Sequence, residues 1–91
     1  MAIEVRIPTI LRTYTGGQSE VEADGGTLGE VLENLDGAYP GIRSRILDEQ
    51  GSIRRFVNVY VGNDDVRFLD ALDTKTPDGV QISVIPAVAG G

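Results

Sequence analysis

The segment Thr27-Leu28-Gly29-Glu30-Val31-Leu32-Glu33-Asn34-Leu35-Asp36 decides how the rest of the chain must be arranged. Leu28, Val31, Leu32 and Leu35 recur at i, i+3, i+4 and i+7, which puts all four on one face of a helix. Thr27 and Glu30 have the spacing of a capping box, in which a hydroxyl and a carboxylate accept from amides that a helix start leaves unpaired. Gly37 reads as the C-terminal cap and Pro40 prevents continuation, so the spacing predicts a helix over roughly 28–36. One apolar stripe calls for one apolar surface beneath it, and the flanking segments must supply that surface.

Upstream, Ile3, Val5 and Ile7 alternate with Glu4 and Arg6, the period of a strand with one buried face. A second alternating run, Gln18 to Ala23, follows a loop that ends in Gly16-Gly17, so these two strands form a hairpin with a long connection. Downstream, Ile42 and Ile46 are four apart and predict a short second helix within 41–47, with Arg43 and Arg45 facing outward. Val57, Val59 and Val61 alternate with Phe56, Asn58 and Tyr60, a composition suited to a strand near the middle of a sheet. Gly62-Asn63-Asp64-Asp65 turns the chain, and Val66-Arg67-Phe68 reads as a short return strand. After the turn Thr76-Pro77-Asp78-Gly79, the last strand is Val80 to Ile85, with Val80, Ile82 and Val84 on one face. Its other face carries Ile85, an apolar side chain directed away from the core. Two strands, one main helix, a short helical piece and three strands make an α+β domain. The arrangement that closes it with few loose edges is a β-grasp roll, one mixed sheet on one helix with the last strand beside the first. The chain divides into a domain over 1–85 and a flexible C-terminal tail over 86–91.

With 91 residues there is room for one domain and one modest core. A net charge of −6 argues against nucleic acid, whose phosphates require clustered Lys and Arg, and favours a basic partner surface. No apolar run approaches the roughly 20 residues of a membrane span, and the first residues lack a signal-peptide pattern, so the expected location is the cytoplasm. The absence of Cys and His removes thiolate nucleophiles, imidazole bases and the usual zinc or iron–sulfur ligands. The adjacent carboxylates Asp48-Glu49 and Asp64-Asp65 sit in polar turns, where solvated groups keep ordinary acidities and make poor catalysts. The domain is therefore expected not to be an enzyme, and to bind no cofactor or metal.

The chain closes on Ile85-Pro86-Ala87-Val88-Ala89-Gly90-Gly91. Glycines lack a Cβ and can enter a channel too narrow for side chains. Together with the order of elements and the Asp78-Gly79 turn, this end resembles the MoaD/ThiS ubiquitin-like sulfur carriers, whose members end in Gly-Gly. Within that family the likeness is to the carriers of cysteine synthesis, through Ile7-Pro8-Thr9-Ile10-Leu11-Arg12, Thr15-Gly16-Gly17, Arg55-Phe56-Val57-Asn58 and Asp65-Val66-Arg67-Phe68. It runs nearly the whole length of the chain. The loop 48–54 departs from that pattern.

The resemblance implies that a ubiquitin-activating-like adenylyltransferase/sulfurtransferase adenylates the Gly91 carboxylate with ATP and converts it to a thiocarboxylate. A sulfur-accepting enzyme then takes the sulfur: a pyridoxal-phosphate-dependent cysteine synthase or, in the molybdopterin branch, the large subunit of a synthase. A ubiquitin-like interaction module with an incidental tail is the alternative of another kind. On the carrier reading Gly91 is the reacting residue and Gly90 the threading residue. Ile85, Pro86, Val88, Ala89, Arg12 and Phe56 contact partners.

Overall fold

The computed structural model describes residues 2–55 and 57–86. Five strands form one mixed sheet: β1 (Ala2–Arg6), β2 (Glu20–Asp24), β3 (Val57–Val61), β4 (Asp64–Asp65) and β5 (Gln81–Pro86), in the spatial order β2-β1-β5-β3-β4. β1 and β2 pair antiparallel with Ile3 opposite Ala23 and Val5 opposite Val21. β5 lies parallel to β1, Val5 opposite Ile82, and antiparallel to β3, Val59 opposite Val84. This is the expected β-grasp roll, with the last strand beside the first.

Helix α1 (Leu28–Ala38) buries Leu28, Val31, Leu32 and Leu35 completely. They pack with Ile3, Val5, Val59, Ile82 and Val84 from the inner face of the sheet. Burying four such side chains contributes roughly 6–12 kcal/mol by side-chain transfer values. The two helical glycines, Gly29 and Gly37, each cost about 1 kcal/mol of helix propensity, so packing decides the matter. The Thr27 hydroxyl accepts from the Glu30 amide at 3.3 Å, and Glu30 Oε1 accepts from the Gly26 amide at 2.8 Å, so the cap forms one residue wider than the simple box. Gly25 is needed next to it, since a Cβ there would fall 2.6 Å from the Val31 nitrogen.

The helix runs through Gly37, expected as its cap, and ends where the Tyr39 amide donates to the Leu35 carbonyl, immediately before Pro40. The Asp36 carboxylate then accepts from the amides of Gly41 and Arg43, both at 3.0 Å, and ties α1 to α2 (Arg43–Ile46). Ile42 and Ile46 are fully buried as their spacing predicts, while Arg45 is exposed and Arg43 only partly so. Among the described residues no helix is long and apolar enough to cross a membrane.

Two departures from the sequence expectation share a cause. The return strand is not Val66-Arg67-Phe68 but the two-residue β4, and Val66–Phe68 forms a 3₁₀ turn. Asp65 Oδ1 accepts from the Arg67 amide at 2.9 Å and starts that turn, Val66 drops into the core, and the Arg67 guanidinium donates to the Val57 carbonyl at 2.6 Å. A side chain thus occupies a carbonyl beside β3, where a longer β4 would have offered amides. The segment 74–76 is latched across the start of α1: the Leu28 amide donates to Thr74 O at 2.9 Å, and the buried Thr76 hydroxyl donates to Gly25 O at 2.8 Å. Gly79, at φ 84°, supplies the left-handed turn that leads into β5.

Leu32→Ala is expected to destabilise the domain by about 2–5 kcal/mol through the cavity it leaves. Thr27→Ala is expected to cost about 1 kcal/mol. Urea unfolding followed by circular dichroism measures both, and equal effects would show that α1 is not the principal packing element.

Candidate functional site

The parallel pairing of β1 with β5 makes both strands end on the same side of the domain, and β3, antiparallel to β5, begins there with Val57 opposite Pro86. Residues 87–91 follow β5 in the sequence from that end of the sheet. Beyond β1, Ile7 is buried and its amide donates to Ser19 O at 2.8 Å, extending the hairpin. Pro8, extended at φ −68° and ψ 155°, introduces the 3₁₀ segment Thr9–Thr15. Leu11 and Thr15 anchor this segment inward, so Ile10 between them and the strand is left 68% exposed. Arg12 lies half-buried, its Nε donating to the Ile7 carbonyl at 3.2 Å.

Ile85, 47% exposed, stands on the outer face of β5 opposite Asn58. Its parity is the one expected from the alternation. Pro86, grouped with the tail in the sequence reading, is the last residue of β5. Together Ile10, Arg12, Ile85 and Pro86 line a groove of about 360 Å³, with Arg6 and Ser83 on its walls. Its lining is predominantly apolar, it carries two arginines, and no carboxylate lines it among the described residues. Arg12 is held by a neutral carbonyl, and the Arg6–Glu20 pair is separated by 3.9 Å at the surface, an arrangement worth little. A chain of net charge −6 thus keeps a locally cationic, apolar hollow beside β5.

The structure therefore brings three of the expected contact residues, Ile85, Pro86 and Arg12, into one site. Phe56, Val88, Ala89, Gly90 and Gly91 lie outside the described residues. Tyr60, on the same strand as Val57, is half-buried opposite Ser83. Sequence reasoning passed over Ile10 and Arg6. The signal for Ile10 was its position just after Pro8, where strand parity stops and an apolar side chain has no assured place in the core.

The ThiS family profile matches residues 5–91. The chain belongs to the ThiS family. Among its ThiS-family relatives, the sulfur carrier protein CysO of Mycobacterium tuberculosis is 50% identical over 93 residues, an alignment that covers all of both chains. The crystal structure of that organism's CysO, described as an antigen, superimposes with a TM-score of 0.91 at 48% identity, over 94% of this chain and 99% of the other. The CysO chain in the Amycolatopsis orientalis BexX/CysO complex gives a TM-score of 0.92 at 46% identity, over 99% and 100%. The fold is accordingly the ubiquitin-like β-grasp of these ThiS-family proteins.

Because Ile85 and Arg12 serve the groove and not the core, Ile85→Ala and Arg12→Ala are expected to change unfolding free energy by less than about 1 kcal/mol. A shift comparable with that of Leu32→Ala in the same urea titration would reassign them to packing.

Proposed function

We propose that the protein is a sulfur carrier, a protein-bound sulfur donor and not itself an enzyme, that feeds cysteine biosynthesis or a closely related sulfur-incorporation step. The observation that carries this reading is the full-length likeness to CysO sulfur carriers, at 50% identity with all of both chains covered. The groove at the end of β5 supports it, since a docking surface beside the tail is what such a role requires.

Carboxylates are poor electrophiles, so the Gly91 carboxylate must be activated before sulfur can attack. In the proposed sequence one carboxylate oxygen attacks the α-phosphorus of ATP on a ubiquitin-activating-like adenylyltransferase, and pyrophosphate leaves. In the sulfurtransferase step hydrosulfide, delivered by the sulfur donor, then attacks the acyl carbon, AMP departs with the bridging oxygen, and loss of the sulfur-bound proton leaves a thiocarboxylate. The anionic sulfur so formed is the nucleophile delivered to an acceptor, here a pyridoxal-phosphate-dependent cysteine synthase. ATP and pyridoxal phosphate belong to the partners. The carrier contributes the reacting terminus and the surface that orients it.

Residues 87–91 reach at most roughly 18 Å when extended, enough to place Gly91 in a partner's active site while the domain stays outside. Gly90 passes a constriction that a side chain would block, Val88 and Ala89 form the tether, and Pro86 at the end of β5 joins the contact surface. Ile85, with Ile10 beside it, supplies the apolar contact at the mouth of the partner's channel, and Arg12 and Arg6 meet its acidic rim. Phe56 extends the same contact.

Incubation with the cognate activating enzyme, ATP and a sulfur donor is expected to add the mass of one oxygen-to-sulfur exchange, read by intact mass spectrometry. An unchanged mass with an active partner would overturn the carrier reading. Gly91→Ala is expected to leave the fold and its stability unaltered and to impair loading. Loading at the wild-type rate would remove the threading role from the terminal glycines.

A further inference from the structure

The groove between Ile10 and Ile85 has a backbone origin. The Ile7 amide donates to Ser19 O at 2.8 Å, on the β2 side, so by alternation the backbone groups of Arg6 and of Pro8 point toward β5. The Gly62 amide donates to Gln81 O at 2.8 Å, which turns Gln81 toward β3 and the backbone groups of Ile82, Val84 and Pro86 toward β1. Arg6 opposite Ser83 is the last register pair of β1 with β5. The next two rungs of that parallel ladder would run from the amide of residue 8 to the Val84 carbonyl, and from the amide of residue 86 to the carbonyl of residue 8. Neither can form, because both donor positions are proline.

The groove stands where those rungs are missing. Pro8, Val84 and Pro86, the three residues that would have made them, all line it. The Pro8 carbonyl accepts from the Leu11 amide at 2.9 Å and the Ile7 carbonyl from Arg12 Nε at 3.2 Å, so the chain after β1 curls back on itself and carries Ile10 to the far wall. The Val84 carbonyl is left facing the gap with no amide from β1 to accept. One proline would suffice to end β1. Two, on facing strands and at consecutive rungs, remove both donors that could close the seam over Val84.

We propose that Pro8 and Pro86 are positioning residues: by withholding two consecutive amides they hold the β1–β5 seam open, and the activating enzyme that loads the tail docks in the opening. The inference rests on the sulfur-carrier reading and deepens it, since it assigns the groove to the first of the two partners. That enzyme binds the unmodified chain and must take up residues 87–91, which follow directly from Pro86 on the groove's wall. An open seam forgoes two ladder bonds, a loss that packing within the domain does not repay.

Sulfur loading by the cognate activating enzyme is followed by intact mass at varied carrier concentration. Pro8→Ala combined with Pro86→Ala restores both amides. These are expected to exchange with deuterium more slowly than the amides of an unstructured peptide. KM for the carrier is expected to rise by about tenfold or more with kcat unchanged, because the chemistry at Gly91 is untouched. Pro86→Ala alone restores one rung and is expected to raise KM by less; it carries the same test if the double variant does not fold. A synthetic chain with N-methylalanine at position 86 lacks the ring but still has no amide hydrogen, and is expected to keep the wild-type KM. Slow exchange with an unchanged KM refutes the proposal, as does fast exchange at both positions. A KM raised equally by N-methylalanine also refutes it and reassigns Pro86 to ring contact. In each of these cases wild type still loads, and the carrier reading stands. Wild type that does not load refutes the carrier reading, and the docking role falls with it.

Discussion

The parallel pairing of β1 with β5 is the constraint on which the other features depend. Parallel neighbours cannot be joined by a tight hairpin; the chain must cross over between them, and here the crossover carries α1. The crossing helix covers the inner face of the sheet with Leu28, Val31, Leu32 and Leu35. The same pairing aligns the end of β1 with the end of β5. Residues some seventy positions apart, Ile10 and Arg12 on one side and Ile85 and Pro86 on the other, therefore line a single groove. Core and candidate docking surface are two faces of one topological decision.

The outer strands show how the remaining edges are managed. β2 presents Glu20, Glu22 and Asp24 exposed along its length, and charge of one sign discourages pairing with another chain. At the opposite edge β4 is only two residues long, and beyond it the Arg67 guanidinium takes the carbonyls of Val57 and Arg54. An arginine can do this because it offers five donors in a planar fork, and a charged donor forms a stronger bond to a carbonyl than an amide does. In place of an open strand edge the protein has a braced turn with an aromatic ring on its outside.

Much of the fold was legible because it rests on periodicity. The four-residue spacing of Ile42 and Ile46, the alternation through β1, β3 and β5, and the Thr27–Glu30 cap all report local preferences that packing then reinforces. The end of α1 was misplaced at Gly37: the helix runs on through the exposed Gly37 and Ala38 and closes where the Tyr39 amide donates to the Leu35 carbonyl, with the half-buried Tyr39 packed against the core. The return strand was misread for a related reason. Val66-Arg67-Phe68 has strand-like composition, but the Asp65 side chain captured the Arg67 amide and turned the backbone away. Competition between a side-chain acceptor and a neighbouring strand leaves no periodic trace.

The outward parity of Ile85 was set by the sequence alone, because side chains on a strand alternate by geometry and the buried Ile82 and Val84 determine the rest. The order of elements, the apolar stripe of α1 and the absence of Cys and His were likewise sequence properties. Only the tertiary structure decided that Ile10 and Arg12 meet Ile85 and Pro86, that Phe68 stands outside the core, and that Arg67 holds it there. Each of these depends on which distant strand lies alongside, and on whether a carbonyl finds an amide or a guanidinium. Such long-range pairings are settled by the packed whole and not by any local run of residues.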